Sequence, residues 1–145
     1  MGNFLYEIKN LQIKSTPESG ATKILNNISF NINRGEILGL IGESGSGKSM
    51  LGCALLEMVP VGCLITKGSI IHHFNSNETI SKNRGVHIAM ISQDPMQALN
   101  PLQKIKTQFE MILRRKFARN KKNTKEQLLR WMERVSLHKI PNILD

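Results

Sequence analysis

Apolar and polar residues alternate along several stretches of the chain, as they do in half-buried β-strands. These stretches are Phe4 to Ile13, Ile24 to Ile32 and Gly68 to Phe74. In the second stretch, apolar residues alternate with serine and asparagine from Ile28 onward. The pattern predicts strands with the alternation typical of antiparallel sheets.

Turn-forming residues separate these strands. Thr16 to Gly20 ends the first strand, and Asn33 to Gly35 predicts a tight turn after the second. The polar segments Asn75 to Asn77 and Ser81 to Gly85 predict a hairpin-like connection and a loop. A further strand is predicted from Val86 to Ser92.

One apolar run, Ile37 to Ile41, does not alternate and predicts a strand that is buried on both faces. A glycine- and serine-rich loop follows, and then the segment Met50 to Leu56 predicts a helix that must stop at Pro60. A buried strand with a crossover helix among antiparallel strands indicates an α/β fold with a mixed β-sheet around this helix. We assign residues 1–92 to this core.

The character of the sequence changes at Gln93. Residues 93–101 contain two prolines and several turn formers, so they predict a loop that links two domains. From 102 to 145 apolar residues recur at helical spacing, and Thr124 with Gln127 matches a capping box that starts a helix. This last part predicts the beginning of an α-helical subdomain.

The loop between the buried strand and the helix reads GESGSGKS and matches the phosphate-loop pattern G-x-x-x-x-G-K-[ST]. Gly42, Gly45 and Gly47 allow backbone angles that other residues avoid, so successive N–H groups can line a concave anion site. A flexible linker is the alternative interpretation, but a linker does not lie between a buried strand and a helix.

Two side chains complete this predicted site. Lys48 places an ammonium on the outer phosphates and Ser49 offers its hydroxyl to Mg²⁺, while the helix that follows directs its positive end at the same place. Lys48 is also predicted to be catalytic. The predicted nucleotide-binding residues are Gly42, Glu43, Ser44, Gly45, Ser46, Gly47, Lys48, Ser49 and Met50.

Composition narrows the class of protein. The chain has 145 residues, of which 40% are apolar, enough for a domain with a core. No apolar run reaches the length of a bilayer, and residues 1–7 lack a signal-peptide pattern, so we expect a protein of the cytosol or of the cytosolic face of a membrane. Cys53 and Cys63 predict neither a zinc cluster nor a disulfide, and we expect both to be small core residues.

The formal net charge is +9, and much of it falls between Arg114 and Lys125. A reader of single-stranded nucleic acid needs several stacking rings there, whereas Phe117 is the one aromatic residue in this segment. The basic segment therefore favours a solvated helix face, or a surface that meets anionic lipid or an acidic partner. We expect no nucleic-acid partner, and nucleic acid stays only a minor alternative.

The order of a strand, GESGSGKS, further strands, ISQDPMQALNP and a helical segment resembles the ATP-binding subunit of an ABC transporter. The form Q-D-P-x-x-x-L-N-P is similar to the peptide/nickel importer group, and the stretch GKSMLGCALLEMVPVGCLITKGSI is similar to its D-type subunits. This resemblance covers the whole chain. It implies an ATPase that couples ATP binding and hydrolysis to the uptake of nickel or of di- and oligopeptides.

The resemblance also implies roles and partners. Gln93 becomes the residue of the Q-loop, a catalytic residue whose amide carbonyl reaches Mg²⁺ and the attacking water; a glutamine that merely caps a strand end is the alternative. Ser49 and Gln93 are thus the implied metal ligands, and ATP and Mg²⁺ the cofactors. The partners are membrane-spanning permease subunits, a second ATPase subunit and, indirectly, an extracytoplasmic substrate-binding protein. The location is peripheral, on the cytoplasmic face of the inner membrane.

Two departures from the family bear on activity. Most members carry a ring for adenine after the first strand, whereas residues 13–17 read IKSTP, so Ile13 or Ile24 is left to support the base, and Tyr6 is expected to be a sheet residue. The sequence also lacks the signature motif, the acidic strand end of Walker B and the switch histidine. We therefore expect the N-terminal part of an ATPase subunit, nearly inactive by itself.

The histidines do not predict a metal site. His72 and His73 are consecutive on a predicted strand and point to opposite faces, while His87 and His138 are far away in sequence. Two other classes of protein stay open: a non-catalytic nucleotide- or partner-binding module, and a soluble P-loop kinase or GTPase. An acceptor lid or an N-K-x-D motif would indicate the latter, and neither is found.

Overall fold

The computed structural model describes residues 3–74, 79–85, 87–94, 98–117 and 121–137, with the side chains of all of these except 19, 114–117 and 121–125. The strands are β1 (Phe4–Ser15), β2 (Lys23–Asn33) and β3 (Cys63–His72). The helices are α1 (Lys48–Leu55), α2 (Ile80–Asn83), α3 (Ile105–Phe117) and α4 (Lys121–Arg134), and a 3₁₀ turn covers Pro17–Ser19.

The three strands form one sheet in the order β2-β1-β3, and both neighbouring pairs are antiparallel. The predicted strands at residues 4–13, 24–32 and 68–74 are present, and β3 begins earlier, at Cys63. The turn at Asn33 to Gly35 is also present, closed by Glu36, whose backbone N–H donates to the carbonyl of Asn33 at 3.3 Å. The α/β class is confirmed. Among the described residues the sheet is antiparallel and not mixed, because the run Ile37 to Ile41, predicted as a buried strand, does not join it.

In the central strand β1, the alternation of buried and exposed side chains shifts by one residue half-way along the strand. Tyr6 and Ile8 are buried before the change and Leu11 and Ile13 after it, all with at most 4% of their surface exposed. A bulge at Asn10, whose φ is 48°, makes this shift and also shifts the pairing with β3. Because of the extra residue, both halves of β1 keep their apolar side chains on the buried face.

Helix α1 supplies the second layer of this unit through the buried side chains of Leu51 and Ala54. The Tyr6 hydroxyl donates a hydrogen bond to the carbonyl of Leu55 at the end of the helix, at 3.0 Å. Burial, and then the nearby Glu57 carboxylate, raise the pKa of Tyr6 to about 12. The helix ends well before Pro60, as the sequence requires.

Internal contacts divide the chain into two units, Met1–Arg84 and Gly85–Asp145. The second unit contains α3 and α4, which pack around the buried side chains of Leu113, Leu128 and Met132. The domain limits predicted at residues 92 and 101 stay predictions. The predicted helical character after residue 102 is confirmed for the described residues.

Four local predictions are wrong. Ile37 to Ile41 form no strand and are not buried: Ile37 is 99% and Ile41 98% exposed. The described residues 87–92 of the strand predicted at Val86 to Ser92 are not in a strand, and Val86 lies outside the described residues. The loop predicted at Ser81 to Gly85 contains most of α2. Thr124 lies inside α4, which begins at Lys121, so it does not cap that helix.

We expect Gly68→Ala to destabilise the first unit by about 2–4 kcal/mol, because left-handed strain and overpacking add together. Gly68 has a φ of 83°, and a Cβ there would collide with the carbonyl oxygens of Lys9 and Asn10 at the bulge. Urea unfolding measures the change. Gly52→Ala in α1 is the matched control, since no atom lies within 4 Å of its Cβ position, and a gain of about 0.5–1 kcal/mol is expected there. Equal effects of the two substitutions on the free energy of unfolding would contradict the close approach of Gly68 to the bulge.

Candidate functional site

The loop from Gly42 to Ser49 leads directly into helix α1, as the sequence predicts. A turn closes inside it, where the N–H of Ser46 donates to the carbonyl of Glu43 at 3.2 Å. Helix α1 begins at Lys48, and its first backbone bond runs from the N–H of Leu51 to the carbonyl of Gly47 at 2.9 Å. The predicted phosphate-binding residues therefore surround the N-terminus of this helix.

The three loop glycines differ in their backbone conformation. Gly45 and Gly47 have φ values of 81° and 93°, in the left-handed region that glycine adopts without strain. Gly42 does not lie in that region; a Cβ there would stand 2.8 Å from the Ser46 hydroxyl oxygen, so the Ser46 side chain would have to rotate away. The prediction of unusual backbone angles is thus confirmed at two of the three positions.

Lys48 folds back across the loop that precedes it. Its Nζ donates to the carbonyl of Gly42 at 2.7 Å, to that of Glu43 at 2.6 Å and, more weakly, to the Ser46 hydroxyl at 3.4 Å. One ammonium therefore joins the start of the loop to its middle. Since these bonds hold the charge beside the loop, an anion that enters the loop meets a cation already in place.

The N-terminus of α1 offers backbone donors to the same place. Gly47 is its N-cap, and a glycine has no side chain that could accept a hydrogen bond from the first helical N–H groups. Ser49 and Met50 follow in the first turn, with the Ser49 side chain exposed. A helix start with free amide donors and a positive dipole end suits a phosphate group. The arrangement therefore fits a phosphate group, and the adjacent Ser49 hydroxyl could bind a divalent cation.

Strand β2 supports the loop from one side. A Cβ on Gly47 would stand 2.6 Å from Cδ2 of Leu25 and 2.9 Å from the carbonyl oxygen of Ile24. The buried Leu25 side chain and the Ile24 carbonyl thus leave no room for a side chain at residue 47, where α1 starts. Reading the sequence did not predict this contact; a glycine at the N-cap, where serine or aspartate is usual, is the signal that could have indicated it.

The two residues proposed for support of a base differ in burial. Ile13 is 0% exposed, between its partners Leu25 on β2 and Ile65 on β3, so it presents no face to a ligand. Ile24 is half-buried, and it is its carbonyl oxygen that lies beside Gly47. Tyr6 is a buried sheet residue, as predicted.

Gln93 belongs to the second unit, where it is exposed within a bend. Next to it, the Ser92 hydroxyl donates to the carbonyl of Asp94 at 2.9 Å. Residues 95–97 of the predicted linker lie outside the described residues. The roles assigned to Gln93, like those of the phosphate loop, stay predictions.

Histidine side chains have local partners. His72 packs against the Phe74 ring with 5.2 Å between ring centroids, and Nε2 of His73 lies 3.4 Å from the Glu7 carboxylate. The pKa of Glu7 is lowered, first by its hydrogen bond with Lys9 and also by His73. Within the described part of the chain, no group of three histidine, cysteine or acidic residues could hold a metal ion. His138 lies outside that part.

Comparison of the sequence with protein families identifies a family for this chain. A family model described as ABC transporter matches residues 25–143, which include the phosphate loop. The chain belongs to the ABC transporter family. None of the helices in the part of this ABC transporter chain that the structure describes is long and apolar enough to cross a membrane.

Three curated relatives of this ABC transporter chain are named as ATP-binding proteins of dipeptide or oligopeptide transport. The probable D,D-dipeptide transport ATP-binding protein of Escherichia coli (strain K12) is 39% identical over 114 residues, 74% of this chain and 35% of the relative. The oligopeptide transport ATP-binding protein of Haemophilus influenzae is 36% identical over 116 residues, 77% of this chain and 36% of the relative. The dipeptide transport ATP-binding protein of Lactococcus lactis subsp. cremoris is 33% identical over 138 residues, 90% of this chain and 39% of the relative. The chain thus spans under two fifths of each of the three.

We expect Gly47→Ala to cost more stability than Gly45→Ala, although both residues have positive φ. No atom lies within 4 Å of a Cβ on Gly45, so its substitution carries only backbone strain of about 1–2 kcal/mol. At Gly47 the collision with Leu25 adds about 1–3 kcal/mol. Urea unfolding of both variants measures the difference. Equal losses would mean that β2 does not support the loop.

Proposed function

We propose that this chain belongs to the ATP-binding subunit of a peptide importer, which couples ATP binding and hydrolysis to uptake of di- or oligopeptides through separate membrane subunits. The observation that carries the proposal is the Lys48 ammonium, held across a glycine loop at the start of α1. The names of the relatives support the importer class and the peptide cargo.

In this proposal, different loop residues bind different parts of MgATP. Backbone N–H groups from Gly42 to Met50 bind the phosphate oxygens, and Lys48 moves its donors from the loop carbonyls to the outer phosphates. Ser49 binds Mg²⁺ through its hydroxyl. By the family resemblance, Gln93 would offer its amide carbonyl to Mg²⁺ and to the attacking water, and its loop would then respond to the γ-phosphate. Phosphoryl transfer depends mainly on such positioning and charge stabilisation.

Cargo and partners follow from the importer class. The three named relatives carry peptide names, so we favour di- or oligopeptides; nickel rests on the sequence resemblance alone. The subunit would lie on the cytoplasmic face of the inner membrane with permease subunits and a second ATPase subunit. A substrate-binding protein outside the membrane would act on it indirectly. The proposal includes no nucleic-acid partner.

Lys48→Ala is expected to weaken MgATP binding by roughly 10- to 100-fold, because a charge-assisted hydrogen bond to phosphate contributes about 1.5–3 kcal/mol. Isothermal titration calorimetry with MgATP measures the change. Lys67→Ala is the control, because Lys67 is exposed on β3 and this substitution removes the same charge away from the loop. Unchanged affinity in Lys48→Ala, with its circular dichroism intact, would refute the assigned role.

The 145-residue chain is expected to bind ATP with almost no hydrolysis, because its sequence holds no apolar run that ends in adjacent acids to anchor Mg²⁺ and polarise water. Phosphate release should be measured beside a version extended through the signature and Walker B motifs. Turnover by the short chain at the rate of the extended one would contradict the prediction. Binding without turnover in both would favour a non-catalytic module.

A further inference from the structure

We propose that Tyr6 is a positioning residue for the phosphate site: its hydroxyl holds the far end of α1 on the sheet, so that the start of the helix faces the phosphates of a nucleotide. The inference rests on the proposed ATP-binding function and adds a residue that lies outside the phosphate loop. Three features of the first unit support this role: the shortness of α1, the partner of its last carbonyl group and the tight packing of the Tyr6 ring.

Helix α1 is too short to be stable by itself. It has eight residues, and one of them is Gly52, an unfavourable residue in a helix interior. Isolated helices of this length are not stable in water, and most of their stability in proteins comes from tertiary packing. Leu51 and Ala54 are its buried side chains. The position and direction of α1 therefore depend on its contacts with the sheet.

The two ends of α1 are held in different ways. At the start, Gly47 lies against the Leu25 side chain and the Ile24 carbonyl of β2. The other end, at Leu55, lies about 10 Å away along the helix axis. A contact at that end limits how far the helix can tilt about Gly47. It thereby sets the direction in which the backbone N–H groups of the first turn point.

Tyr6 provides a contact at the far end of the helix. The last carbonyl groups of a helix have no N–H group four residues further on. The carbonyls of Cys53 and Ala54 accept hydrogen bonds from N–H groups that follow the helix. Among the described residues, no backbone N–H donates to the Leu55 carbonyl, and the Tyr6 hydroxyl donates to it at 3.0 Å. No basic residue lies in the last turn of α1 to take over this function.

The Tyr6 ring is itself held firmly. It is 4% exposed and lies on the central strand, between its partners Ile32 on β2 and His72 on β3. Phe74 packs edge-on against it, with ring centroids 5.4 Å apart. Burial, and then the Glu57 carboxylate, raise the pKa of Tyr6 to about 12, so the hydroxyl keeps its proton at neutral pH. The sheet thus presents a fixed donor to the end of the helix.

Tyr6→Phe removes this donor and keeps the ring. The apparent affinity of a site falls with the fraction of molecules in which the site is correctly arranged. We expect the dissociation constant of MgATP to rise roughly 3- to 10-fold, the factor that corresponds to the loss of one hydrogen bond. Isothermal titration calorimetry on the 145-residue chain measures it, under conditions in which circular dichroism shows the variant to be folded.

Ile70→Val is the matched control. Ile70 is half-buried on β3 opposite Ile8, so the substitution weakens the packing of the same sheet and leaves the Tyr6 hydroxyl in place. It should leave the dissociation constant of MgATP unchanged. An equal rise in both variants would mean that Tyr6 contributes only to stability, and the inference would then be wrong.

Amide NMR spectra without nucleotide give a second readout. If Tyr6 only caps the helix end, Tyr6→Phe shifts the signals of residues around Leu55. If it positions the helix, the signals of Lys48 and Ser49 shift as well, although they lie about 10 Å from Leu55. Ile70→Val should not shift those two signals. Shifts confined to the last turn of α1 would overturn the inference.

These measurements separate the inference from the proposed function. Failure of the wild-type chain to bind MgATP would refute the proposed function, whereas binding that Tyr6→Phe leaves unchanged would overturn the role of Tyr6 alone. If Tyr6→Phe does not fold by itself, both measurements are made in the Gly52→Ala background, which stabilises α1 and places its Cβ in open space. The same rise in the dissociation constant and the same signal shifts are expected there.

Discussion

The contact between Gly47 and β2 is the constraint on which the candidate site depends. Because residue 47 has no side chain, the start of α1 can approach the Leu25 side chain and the Ile24 carbonyl closely. This approach constrains the position of the helix start and, with it, the backbone amide groups and the Lys48 ammonium of the candidate phosphate site. The sheet thus acts as the rigid support for a loop that is itself exposed.

The bulge in β1 helps the sheet to support the loop. Without an extra residue at Asn10, either Tyr6 and Ile8 or Leu11 and Ile13 would face solvent, because side chains alternate strictly along a strand. With it, one continuous apolar face lies beneath α1. The antiparallel sheet therefore keeps a buried face along β1 from Tyr6 to Ile13.

The sequence predicted what depends on local chemistry. The strands around Ile8 and Ile28, the turn at Gly35 and the loop before Lys48 are present because alternation and glycine determine them within a few residues. It failed at Ile37 to Ile41, since an apolar run forms a strand only when neighbouring strands pair with it, and no described residue pairs with this run. It also could not predict the contact of Leu25 with Gly47, which joins residues that are distant in the sequence and depends on how the helix lies on the sheet.

The exposed run from Ile37 to Ile41 has a consequence for the behaviour of the molecule in solution. Its backbone donors and acceptors and its isoleucines face water, and such a segment favours pairing between molecules, the first step of aggregation. Glu36 and Glu43 stand at its two ends, where their negative charges act as gatekeepers that oppose stacking of identical segments. These two carboxylates would thus add to the solubility that the net positive charge gives the chain.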